Sequence, residues 1–142
     1  MTMLQNRVAL ITAGDCRVGR RVASLLAQYG ANVVLCGVDR ARGSDTVSRL
    51  EQKGIKARFC LVDATVPHDV EAAIKDAVAT FGRIDILCNN ASFGLLGNTS
   101  TVLDLTTESW ERIVEVSLQG AFLLSQYALP FLRRSPDRKS VV

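Results

Sequence analysis

Between Leu10 and Arg20 the chain reads LITAGDCRVGR: an apolar run, then glycines at 14 and 19 with an arginine at 17 between them. A helix that starts at such a turn presents unpaired N–H groups and the positive end of its dipole, which together attract a pyrophosphate. Glycines there permit a tight bend, close approach of backbone to phosphate and close helix–strand packing. Arg17 adds a forked, permanently charged guanidinium suited to phosphate oxygens, the alternative being a solvated surface arginine. A full dinucleotide-binding turn carries two more glycines, at the places held here by Ala13 and Arg17. Ala13 is tolerated if its φ is negative and strained if it is positive. Alone, the two glycines read as an ordinary strand-to-helix loop, so a phosphate site needs support from elsewhere in the chain.

Other reactive side chains add little. Cys16, Cys36, Cys60 and Cys88 are spaced too widely for a CxxC-type zinc site. Three of them end apolar runs, where a small thiol packs well. Cys16 lies in the turn itself and is reactive only if neighbouring arginines favour its thiolate. His68, the only histidine, falls at a helix start and reads as a surface residue.

The elements that must position this turn alternate between short β-rich runs and helical periodicity. RVALIT (7–12) reads as a strand, and RVGRRVASLLAQYG places Val18, Val22, Leu25, Leu26 and Tyr29 on one helical face closed by Gly30. NVVLC (32–36) is a second strand, a helix over roughly 41–53 ends at Gly54, and ARFCLVD (57–63) is a third strand. A helix starting at Thr65/Pro67 carries Val70, Ile74, Ala77, Val78 and Phe81 on one face and stops at Gly82. IDILCNN (84–90) is a fourth strand. A long helix over roughly 107–133, capped by Thr106 or Thr107, precedes KSVV, the first half of a fifth strand. Nearly continuous apolar strands alternating with helices imply an α/β fold, a doubly wound parallel sheet covered on both faces. Its ligand crevice belongs at the carboxyl ends of the strands, where the strand order reverses beside the first strand.

Composition agrees with a globular domain: 142 residues, 48% apolar and 22% charged, with a net charge of +3. No basic run or stacking aromatics accompany that charge, so no nucleic-acid partner is implied. No apolar run approaches the ~18–20 residues of a membrane span. MTMLQNR lacks the features of a signal peptide, and the expected location is the cytoplasm.

Support for the turn comes from Asp63-Ala64 after the third strand and Asn89-Asn90-Ala91-Ser92 after the fourth. Thr106-x-Glu108-x-Trp110, Val116-Ser117-Leu118-x-Gly120-x-Phe122 and Ala128-Leu129-Pro130 follow along the long helix. In this order and spacing they resemble the short-chain dehydrogenase/reductase family, whose fold is a Rossmann-like NAD(P)-binding sheet, from Arg7 to the C-terminus. Arg17 and the NNAS segment add a slight resemblance to pteridine-reductase-like members. The resemblance implies that the Thr12–Gly19 turn, with Gly14, Arg17 and Val18, holds the cofactor diphosphate. It implies that Asp63 binds adenine with Ala64 beside it, and that Asn89 and Ala91 shape the pocket and brace the sheet. A satisfied strand-end turn is the alternative for Asn89 and Asn90.

The family function is hydride transfer between a nicotinamide and a small carbonyl or alcohol. NAD-preferring members place an acid at the end of the second strand, where this chain has Gly37 and Val38. Arg17, Arg40 and Arg42 supply positive charge, so NADP is expected over NAD, the alternative being that Arg40 and Arg42 only decorate a solvated helix start. Ser117 stands at the asparagine of the family's proton relay, with a shorter hydroxyl in place of an amide. The family's catalytic serine and Tyr-x-x-x-Lys fall beyond Val142. Neither Tyr29 nor Tyr127 substitutes, since Val33 and Phe131 stand four residues on. Relative to the family, residues 1–142 are expected to be the C-terminally truncated, cofactor-binding part, with four to five strands and no activity alone. A non-catalytic dinucleotide- or partner-binding module is the alternative, and a decayed product a third. The fourth strand is expected near an open edge. The long helix, apolar on several faces through Leu118, Phe122, Leu123, Leu124, Leu129, Phe131 and Leu132, is expected to mediate homo-oligomerisation.

Overall fold

The computed structural model of the chain describes residues 3–90 and 101–135, and the backbone of 139–141. Five strands form one parallel sheet: β1 (Val8–Ile11), β2 (Asn32–Gly37), β3 (Ala57–Leu61), β4 (Ile86–Cys88) and β5 (Lys139–Val141), in the order β3-β2-β1-β4-β5. β1 is therefore flanked by β2 on one side and β4 on the other, which creates the reversal point beside the first strand. β5 pairs with all three residues of β4 and forms that edge of the sheet, so β4 lies one strand in from it, near the edge as expected.

Alternate residues of the strands face opposite sides. Val8, Leu10, Val34 and Cys36 face one apolar core, and Ile11, Val33 and Leu35 the other. Helices α1 (Arg17–Gln28) and α2 (Arg40–Glu51) cover the second core, while α3 (Pro67–Phe81) and α5 (Gly120–Leu132) cover the first. α5 continues α4 (Thr107–Val114) through a π-helical turn, Glu115–Gln119, so the expected long helix is present with a wide turn in its middle. Thr106 caps it, its Oγ1 accepting the Ser109 N–H at 3.1 Å.

Two local expectations are corrected. α1 does not bury the stripe of large apolar residues: Val18, Leu25 and Tyr29 are exposed, and Val22 and Leu26 only flank the core. The buried face is Gly19, Ala23 and Ala27, four residues apart, because only small side chains let the helix axis approach the sheet this closely. Thr65 does not cap α3. Its hydroxyl and N–H both donate to Asp63 Oδ1, at 2.7 and 2.9 Å, and the helix starts instead on Pro67. Gly82 ends α3 with φ 76°, a conformation glycine adopts at little cost.

Beneath the sheet, Asp85 is wholly buried and accepts from Val8 N–H at 2.9 Å, Arg83 Nε at 2.7 Å and Ser135 Oγ at 2.5 Å, with Arg7 Nη1 at 3.3 Å. Burial alone would raise its pKa. The Arg83 guanidinium, the Ser135 hydroxyl and the Val8 N–H reverse that, and the net shift is downward.

Candidate functional site

A cavity of about 620 Å³ opens at the carboxyl ends of β1 to β4, lined among others by Thr12, Gly37, Asp63, Asn89 and Gly120. The β1–α1 turn forms one wall. Cys16 is the N-cap of α1, with its Sγ accepting the Gly19 N–H at 3.3 Å. The N–H groups of Arg17 and Val18, in the first helical turn, have no protein partner among the described residues. Arg17 is exposed, lines the cavity and forms no ion pair among the described residues. The turn therefore offers two free backbone donors and one guanidinium to an anion.

Ala13 adopts φ 47°, so the strained alternative holds at this position. Gly19 explains why the turn nevertheless closes. A Cβ there would lie 2.2 Å from the Ala13 carbonyl oxygen, so helix and turn touch through a missing side chain. A Cβ on Gly14 would lie 2.8 Å from Leu35, so this glycine seats the turn on β2. Neither glycine, nor Val18, lines the cavity.

The opposite wall comes from the ends of β3 and β4. Asp63 and Ala64 both line it. The Thr65 hydroxyl, ahead of the Arg112 guanidinium at 3.7 Å, draws the Asp63 pKa down against the opposing effect of burial. Asn90 ties β4 to the first turn: its N–H donates to Thr12 Oγ1 at 2.8 Å, and its Nδ2 reaches Thr12 O and Cys16 Sγ, both at 3.3 Å. Asn89 donates from Nδ2 to Ser125 Oγ at 3.1 Å, while its buried Oδ1 has no partner among the described residues. A cavity lined both by an unpaired acceptor on Asn89 and by the free N–H of Arg17 suits a ligand that carries phosphate oxygens and amide or hydroxyl donors.

Of the residues singled out from sequence, Thr12, Arg17, Asp63, Ala64 and Asn89 converge on this cavity. Arg40 does not line it, and Ala91 lies outside the described residues. Ser117 sits in the π-helical turn, half-buried and off the cavity wall, which its neighbours Val116 and Gly120 form. Sequence reasoning missed Asp15, Asn90's bridging role and Arg112, all of which line the same space. No periodicity marks them; they meet through the sheet. The thiols of Cys36 and Cys88 are pushed up, the first by its contact with Cys60 and by burial, the second by burial. Among the described residues no cluster of side chains could hold a metal, and no helix is long and apolar enough to cross a membrane.

A family model for short chain dehydrogenases matches residues 7–141. Cyclohexanol dehydrogenase of Acinetobacter sp. (strain SE19) is 34% identical over 125 residues, covering 88% of this chain and 49% of that protein. An uncharacterized oxidoreductase of Thermotoga maritima is 34% identical over 130 residues, covering 92% of this chain and 50% of its own. Among solved structures, NAD+-bound xylitol dehydrogenase superposes with a TM-score of 0.88 at 24% identity, over 97% of this chain and 52% of that one. The chain thus spans about half the length of the curated relatives it matches.

Proposed function

Since this chain belongs to the short-chain dehydrogenase family, we propose that it holds a nicotinamide dinucleotide for hydride transfer between the nicotinamide and a small carbonyl or alcohol. The observation that carries this reading is the cavity at the reversal point, which Arg17, with its free N–H and guanidinium, lines together with strand-end Asp63 and Asn89. In it, the Thr12–Gly19 turn and Arg17 take the diphosphate. Asp63, fixed by Thr65, and Ala64 border the adenine, and the orphaned Asn89 Oδ1 accepts from a ligand donor. The bound dinucleotide would supply or accept the hydride. Ala91 remains assigned to the same pocket, and Ser117 to the proton relay, by family position alone.

The 142 residues contain Tyr29 and Tyr127, and neither is followed by lysine four residues on. The chain by itself is therefore expected to bind dinucleotide without turning over a carbonyl. Titration calorimetry with NAD+ and NADP+ tests the first half, and a search for carbonyl-dependent NAD(P)H oxidation the second. Failure of both dinucleotides to bind at millimolar concentration would overturn the cofactor reading. Of the three arginines behind the NADP expectation, Arg17 and Arg42 line the cavity, with Arg42 Nε on Asp39 at 3.3 Å, and Arg40 does not; the paired titration decides between the two cofactors. A second reading, a non-catalytic dinucleotide-binding module that pairs with another subunit, is favoured by the exposed apolar groove of Trp110, Val114, Leu118 and Phe122. Homo-oligomerisation through this helix and a cytoplasmic location belong to the proposal.

A further inference from the structure

The end of β2, where an acid would receive the ribose hydroxyls of a dinucleotide, is Gly37. The fold brings an acid there from another turn. Asp15, only 8% exposed, reaches from the β1–α1 turn to β2, its Oδ2 accepting the N–H of Val38 at 2.8 Å and of Asp39 at 2.6 Å. A Cβ on Gly37 would lie 2.5 Å from the Asp15 Cγ and Oδ1. The carboxyl group of Asp15 thus fills the space where a side chain at position 37 would begin, and it lines the same cavity as Arg17 and Asp63.

We propose that Asp15 is the specificity-determining residue at the adenosine end of the site, accepting the ribose 2′-hydroxyl and rejecting a 2′-phosphate, so that the chain prefers NAD(H) to NADP(H). This rests on the cavity being a dinucleotide site. The two N–H groups on Oδ2 fix the aim of the carboxylate and leave Oδ1 as the acceptor. A 2′-phosphate would bring about two negative charges against this carboxylate, which is 8% exposed and so little screened by solvent. The cations that line the cavity are engaged elsewhere: Arg42 Nε pairs with Asp39 at 3.3 Å, Arg112 pairs with Asp63 and Glu115, and Arg17 stands at the proposed diphosphate turn.

Asp15 also braces the two turns, so the test must separate charge from shape. Asp15→Asn keeps an oxygen for the Val38 and Asp39 N–H groups and removes the charge. Titration of the 142-residue chain with NAD+ and with NADP+ is expected to show at least tenfold tighter binding of NAD+. In Asp15→Asn this ratio is expected to narrow at least fivefold, mainly through tighter NADP+ binding, with the thermal midpoint of the ligand-free variant reporting that the turn survives. Asp15→Ser serves if the amide variant does not fold, with the same expected narrowing. Should both variants unfold, the wild-type comparison of ADP-ribose with its 2′-phosphate decides, tighter binding of ADP-ribose supporting the inference and equal or reversed affinity overturning it. Equal or reversed wild-type preference between NAD+ and NADP+, or an unchanged ratio in a folded variant, overturns the inference and leaves the dinucleotide reading standing. Binding of neither dinucleotide overturns both.

Discussion

Ala13 and Asp85 show what single residues cost and contribute here. Ala13 sits at φ 47°, where a Cβ crowds the following carbonyl. Ala13→Gly relieves that strain but loosens the unfolded chain, and the net gain expected is up to about 1 kcal/mol, read from the urea midpoint. Asp85 carries the opposite lesson. Its carboxylate is wholly buried among Arg7, Arg83, Ser135 and the Val8 N–H, and its folded pKa is lowered. The stability it contributes is full above the ordinary aspartate range near pH ~4 and is lost as pH falls through the lowered folded value. Asp85→Asn is expected to cost roughly 3 kcal/mol at pH 7, since it leaves two guanidinium groups facing a neutral amide. Urea titrations of the two proteins are expected to converge as pH falls through that lowered value. A constant difference across that range would show that shape, and not charge, is what Asp85 provides.

At the scale of elements, the helices differ in how readable their packing is. α3 buries Val70, Ile74 and Ala77, as its periodicity requires, because medium and large side chains fill the space between helix and sheet. α1 approaches more closely and buries Gly19, Ala23 and Ala27, and α2 buries Gly43 beside Thr46 and Leu50. Small residues carry little hydrophobic signal, so the periodicity of Val18, Leu25 and Tyr29 points to the wrong face of α1. The close approach of α2 is set by Gly43, where a Cβ would lie 2.1 Å from the Phe59 ring. Gly43→Ala is expected to cost about 1–3 kcal/mol despite alanine's better helix propensity, as overpacking outweighs it. Gly19→Ala forces the helix off the Ala13 carbonyl and is expected to weaken dinucleotide binding at least tenfold, measured by calorimetry. A Gly19→Ala chain that binds as tightly as wild type would show that the turn tolerates that displacement.

For the whole molecule, the long helix decides what is left uncovered. α5 buries Leu123, Leu124, Ala128 and Leu132 against the sheet, while Trp110, Leu118 and Phe122 stay 57%, 68% and 60% exposed along one groove. Residues at i, i+4, i+8 and i+12 form this stripe, and an apolar helical face of that length is normally covered. The chain is therefore expected to self-associate at micromolar concentration, and Leu118→Glu with Phe122→Lys to shift it toward monomer in light scattering, with the fold retained by circular dichroism. A wild-type chain that stays monomeric at high concentration would remove this face as an interface.

The sequence by itself determined the order and type of nearly every element, the sheet class, and the meeting of Thr12, Arg17, Asp63 and Asn89 at the strand ends. These follow from local periodicity, turn chemistry and motif spacing, which are written in consecutive residues. Only the tertiary structure decided the sign of the Ala13 φ, the buried face of α1 and the union of Asp85 with Ser135 across 50 positions. It alone placed the Asp15 carboxylate against Gly37. Parallel strands set side by side residues that are far apart in the chain, and a charge delivered by one turn to the end of another strand leaves no trace at the position it serves.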